Sequence, residues 1–156
     1  MMECFQVFEA GEGIEAAILR GLSARGGLRA RCSSGNHPAL LVVSPRAAEQ
    51  GLKLSGECRT VLLPGETGRA ALPLRAASAV SYGVSPRDSL TISSREGDLL
   101  WAALQRELVT VDGRVVERQE FPLALEPGEE ELSALAAAGA LLLLGVPPEE
   151  LSPGPV

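Results

Sequence analysis

The sequence predicts an α/β domain: a three-layer, Rossmann-like, mostly parallel sheet that runs into an antiparallel three-stranded meander and a C-terminal Ala/Leu-rich helix. Three observations carry this. Continuous apolar runs bounded by turn residues recur at 39–44, 58–64 and 78–83, the pattern of strands covered on both faces. Strand-like and helical stretches alternate from 3 to 83, which implies βα units. From residue 88 the grammar changes to strand-like segments with no helix between them.

In chain order, ECFQVFE (3–9) alternates and reads as a first strand. Gly11 to Gly13 turn the chain, and Ile14, Ala17, Ile18 and Leu22 recur at helical spacing, predicting a helix over 13–24 that Gly26 and Gly27 stop. LRARC (28–32) is a short second strand, and SSGNHP (33–38) is turn chemistry. ALLVVS (39–44) precedes Pro45, which suits the first turn of a short helix over 45–52. CRTVLLP (58–64) is followed by the breaker GETG (65–68), a helical or irregular piece to about Leu74, and the strand SAVSYG (78–83).

The meander is read from DSLTISS (88–94), DLLWAALQREL (98–108) and RVVERQEFPLAL (114–125). Asp112-Gly113 is a hairpin signal because both turn positions of a two-residue loop need φ > 0. Pro122 places the last strand at an edge or on a bulge, since proline cannot donate to a ladder. PGEEE (127–131) puts acids at the start of the final helix, where its dipole favours them. Leu132, Leu135, Ala138 and Leu142 form one stripe, and Gly145 with Pro147-Pro148 ends the helix. Residues 1–151 therefore form one domain, with a frayed tail at 152–156.

Composition narrows the function. Acids outnumber bases 20 to 14, a formal charge of −6. A sequence-independent nucleic-acid binder needs clustered cations, so that class is excluded. Arg20, Arg25, Arg29 and Arg31 form a basic stretch without interleaved aromatics and read as a solvated helix end and loop. Cys4, Cys32 and Cys58 form no CxxC pair, and reduced thiols in a cytoplasmic protein are the expectation. MMECFQVFEAGEG has no basic region leading into an apolar one, which predicts no signal peptide. The apolar run 134–146 is too short to span a bilayer and reads as a buried helix.

Missing motifs are equally informative. GxxxxGK[ST] does not occur, and Lys53, the single lysine, lies in GLKLSG without a phosphate loop. Gly11 and Gly13 follow a strand without the third glycine of a dinucleotide fingerprint. His37 is the single histidine; a Cys32/His37 nucleophile pair rests on proximity alone, and a zinc site from Cys4, Cys32, His37 and Cys58 lacks paired spacing. No catalytic residue, metal or cofactor is therefore assigned.

Two segments at predicted strand ends are candidates for ligand binding. LPGETG (63–68) offers Gly65, Glu66 and Thr67, whose backbone N–H groups could hold an anion, or it is a plain glycine turn. It has one residue too many to be an LPxTG sorting signal. SYGVSPRDS (81–89) offers Ser81, Tyr82, Gly83, Ser85 and Arg87. Its alternative is a Ser85-Pro86 turn with an Arg87–Asp88 surface pair. Arg106 and Arg118 can meet Glu107, Glu117 or Glu120 across the ladder.

With these residues in view, 78–151 resembles the latter part of the ATP-binding central domain of Mur ligases, the amide-forming enzymes of peptidoglycan synthesis. SAVSYG, the strands over 88–125, LEPG (125–128) and ELSALAAAGALLLLGVPPEEL (131–151) follow that family's order. The family's His-Asn after the Pro-Gly turn is replaced by Glu129 and Glu130, and its phosphate loop, carbamylated lysine and metal ligands have no counterpart. The resemblance implies a reduced, non-catalytic relative with a binding, regulatory or scaffolding role in cell-wall metabolism. Two other classes stand beside it: an independent small-molecule-binding domain or enzyme using the strand-end crevice, and a structural protein that self-associates through an edge of the meander. The partner is accordingly an unidentified small molecule, a protein, or a second copy.

Overall fold

The computed structural model describes residues 4–24, 38–50, 56–65 and 74–152. Strands β1 (Phe5–Phe8), β2 (Leu40–Val43), β3 (Gly56–Pro64), β4 (Leu74–Gly83), β5 (Leu90–Glu96), β6 (Leu99–Leu104) and β9 (Gln119–Ala124) form one seven-stranded sheet, in that order. β1 to β5 pair in parallel, whereas β5, β6 and β9 pair antiparallel. β7 (Leu108–Val109) and β8 (Val115–Val116) form a separate two-stranded ribbon. The helices are α1 (Ile14–Ser23), α2 (Pro45–Glu49), α3 (Glu131–Leu143) and α4 (Pro148–Leu151).

The apolar runs become strands because both faces are covered. Leu40, Val42 and Leu62 join the large core with Ile14 and Ile18 of α1 and with α3. Leu41, Val43, Val61 and Leu63 face a smaller core with Ala47 and Ala48 of α2. α3 is buried at every residue from Ser133 to Leu143, which explains an apolar run with little sidedness. It ends in a Schellman motif: Val146 N–H donates to Leu141 O (2.9 Å) and Gly145 N–H to Leu142 O (3.0 Å), with Gly145 at φ 99°. At the α1–α3 crossing, a side chain on Gly21 would come within 2.6 Å of Leu141 Cδ1, so glycine permits the close approach.

β4 and β5 are parallel yet joined only by Val84–Ser89. Their pairing is offset, with Tyr82 opposite Leu90 and Gly83 opposite Thr91, so β5 starts where β4 ends. No return crossover is then needed.

Several expectations change. The meander is built from shorter strands, because the predicted second strand ends at Leu104 and the third begins at Gln119. The Asp112-Gly113 hairpin closes the β7–β8 ribbon instead. Only Gly113 has positive φ (89°) and Thr110 N–H donates to Arg114 O (2.8 Å), so Val111–Gly113 form a three-residue loop, not a two-residue one. Between the end of α3 and the predicted tail lies an unexpected helical turn, α4, stabilised by Pro148 at its start. Cys4 is disulfide-bonded where reduced thiols were expected, because sequence spacing does not show what packs beside the start of β1; Cys58 is free and buried, which pushes its thiol pKa up. Pro122 does lie on an edge strand. The predicted strand 28–32 and the turn 33–37 lie outside the described residues, as does most of the piece after Gly65. Among the described residues no helix is long and apolar enough to cross a membrane.

Candidate functional site: the strand-end crevice

At the carboxyl ends of β1 and β2 the chain leaves toward opposite faces, to α1 and to α2. Such divergence opens a crevice in α/β sheets and makes it the usual place for ligands. The helix starts there present amide N–H groups that suit an anion.

Here the protein's own carboxylates fill that place. Glu9, just past β1, reaches the start of α1: its Oε1 accepts from Ile14 N–H (2.9 Å) and its Oε2 from Glu15 N–H (3.0 Å). The N-cap residue Gly13 has no side chain to do this and adopts φ 77°. Glu12 bridges the crevice. Its Oε1 accepts from Ala10 N–H (3.0 Å) and its Oε2 from Arg46 N–H at the start of α2 (3.1 Å). Burial raises the Glu12 pKa, but the Ser44 hydroxyl, the Ala10 and Arg46 amides and the Arg46 charge together hold it below the ordinary carboxylate value. Ser44 Oγ also accepts from Ala47 N–H (3.0 Å), capping α2. Arg46 pairs with Glu130 (2.7 Å), tying this rim to the start of α3. Two carboxylates thus occupy the position where phosphates would need donors.

The two segments singled out in the sequence meet at the next strand ends. Gly65 and Gly83 flank the carboxylate of Asp88, a residue only 3% exposed. A side chain on Gly65 would overlap Asp88 Oδ1, and one on Gly83 would come within 2.5 Å of Oδ2. Asp88 Oδ2 accepts from Ser85 N–H (3.1 Å), and Asp88 N–H donates to Ser85 O (3.0 Å). The expected Arg87–Asp88 surface pair does not form, because Asp88 turns inward while Arg87 is exposed.

The hydroxyls of this segment serve the fold. Tyr82, buried, donates to Val43 O (2.6 Å), and burial foremost, with Glu12 adding repulsion, pushes its pKa up. Ser81 Oγ accepts from Ser89 N–H (3.2 Å), and Ser85 Oγ from Arg87 N–H (3.1 Å). Gln105 Nε2 donates to Pro86 O (3.1 Å) and Asp88 O (2.8 Å), and Arg106 donates to Arg87 O (3.0 Å). Neither Arg106 nor Arg118 forms an ion pair among the described residues, so the expected cross-ladder pairs are not made.

Glu66, Thr67, Cys32, His37 and Lys53 lie outside the described residues. No group of His, Cys, Asp and Glu able to hold a metal occurs among the described ones. Sequence reasoning missed Glu9, Glu12 and Arg46. Ser44 followed by Pro45 is a cap signal in retrospect, but nothing local marks Glu9 and Glu12 as internal acceptors. No protein-family model matches the chain, and neither does any curated protein.

Proposed function

We propose that the chain is a non-catalytic binding or scaffolding domain, related in its second half to the Mur ligase central domain and serving cell-wall metabolism. The observation that carries the non-catalytic part is the filled crevice. Glu9 and Glu12 accept the helix-start N–H groups and place negative charge where a nucleotide phosphate would require positive charge. Support for the relationship comes from the order of β4, β5, β6, β9, the Pro127-Gly128 turn and α3, which matches the order read from residues 78–151. The cell-wall assignment rests on that resemblance.

A thermal-shift panel tests the proposal, because a ligand bound to the native state adds about 2.7 kcal/mol at a hundredfold excess over its Kd. UDP-linked amino-sugar precursors are expected to raise Tm, and Mg-ATP to leave Tm unchanged and unhydrolysed. Stabilisation by Mg-ATP with phosphate release contradicts the non-catalytic reading. A panel in which no precursor shifts Tm removes the cell-wall ligand.

A further inference from the structure

We propose that β9 is a self-association edge, at which two copies of this chain pair antiparallel about a two-fold axis centred on Gln119. Arg118 of each copy then faces the partner's Glu120. This inference is independent of the nucleotide and cell-wall readings.

The main sheet has two edges. β1 is short and mostly half-buried. β9 is longer and carries exposed Gln119, Glu120 and Ala124, with exposed Arg118 at the bend by which the chain enters it. The phase of its backbone follows from one bond: Leu125 N–H donates to Asp98 O (2.7 Å), in register with the β6 ladder. Odd-numbered residues therefore turn their N–H and C=O toward β6, and Glu120, Pro122 and Ala124 turn theirs outward. The outward groups of Glu120 and Ala124 have no hydrogen-bond partner among the described residues. An exposed edge of this kind is a template for another strand.

Charge and proline select the occupant and the register. The Arg118 and Glu120 side chains have no ion-pair or hydrogen-bond partner among the described residues. Pairing centred on Gln119 brings each beside its opposite twice, once on either side of the axis, which a second copy supplies automatically. Centring on Glu120 would oppose like charges. Centring on Pro122 would face two carbonyls with no N–H to receive them. Pro122 thus confines the contact to the first half of β9, and the dimer is a weak one.

Sedimentation equilibrium of the full chain from about 10 μM to 1 mM tests this. The expected result is a weight-average mass rising from 16.3 kDa toward twice that value. Glu120→Arg or Arg118→Glu alone should raise the dimer Kd at least about tenfold. The double reversal should restore it to within about threefold, because the pair is rebuilt with its signs exchanged. Both side chains are exposed, so circular dichroism melts should match wild type. A wild-type chain that stays monomeric to 1 mM overturns the proposal. So do single reversals without effect, or a double reversal that fails to rescue. A heterologous extended peptide that shifts β9 amide resonances while the protein stays monomeric assigns the edge to another occupant and also overturns it.

Discussion

Replacing Glu9 by alanine removes the acceptor for two helix-start N–H groups, those of Ile14 and Glu15, at 2.9 and 3.0 Å. Gly13 offers no side chain in its place. Loss of an N-cap costs about 0.5–2 kcal/mol, and loss of a charge from the positive end of the helix dipole about 0.3–1 kcal/mol. Water reaches this part-buried place and recovers some of that. The expected destabilisation is about 1–2 kcal/mol, or a Tm lower by about 2–8 °C for a chain of this size. Urea unfolding followed by far-UV circular dichroism measures it, with an unchanged m-value expected because the exposed surface on unfolding is the same. Glu15→Ala is the control: an exposed first-turn acid whose loss should cost a few tenths of a kcal/mol. If Glu9→Ala costs no more than this control, Glu9 is not the cap and the filled-crevice argument fails.

Three other perturbations address different parts of the molecule. Gly83→Ala places a methyl within 2.5 Å of the buried Asp88 carboxylate and should destabilise by about 1–3 kcal/mol in urea; a neutral result would mean that Asp88 moves freely. Ser133 Oγ is buried without a partner, so Ser133→Ala should raise stability by about 0.5–1.5 kcal/mol in the same assay, and a loss would reveal a partner. Glu12 has a depressed pKa in the folded state. Its contribution is therefore complete above the unfolded carboxylate value of 4.5 and is lost as pH falls through the lower folded value. The stability difference between wild type and Glu12→Gln should shrink as pH falls below the unfolded carboxylate value, and a difference that grows on acidification would contradict this.

Much of the fold could be read from local pattern. Leu40–Val43 is buried throughout, as an uninterrupted apolar run implies. Ile14, Ile18 and Leu22 form the buried stripe of α1 that their spacing predicts. Pro122 lies on the edge strand, one of the two places its missing N–H allowed. What escaped depends on partners distant in the chain. The predicted second meander strand runs to Leu108 by propensity, but β6 ends at Leu104, where the Gln105 side chain turns to the carbonyls of Pro86 and Asp88 in the distant β4–β5 connection. Gly65 and Asp88 converge through pairing of β3 with β4 and of β4 with β5, which no local spacing encodes. Glu9 and Glu12 resemble acids in a solvated glycine loop, and only the divergence of α1 and α2 turns them inward.

The central claim is that the amides at the β1–β2 crevice are already spoken for. A ¹⁵N-resolved NMR titration of the wild-type protein with Mg-ATP and with inorganic phosphate reads those amides one by one. Ile14, Glu15, Arg46 and Ala47 are predicted to keep their chemical shifts throughout. A saturable displacement of these four resonances would contradict it, because phosphate would then have taken the place held by Glu9, Glu12 and Ser44.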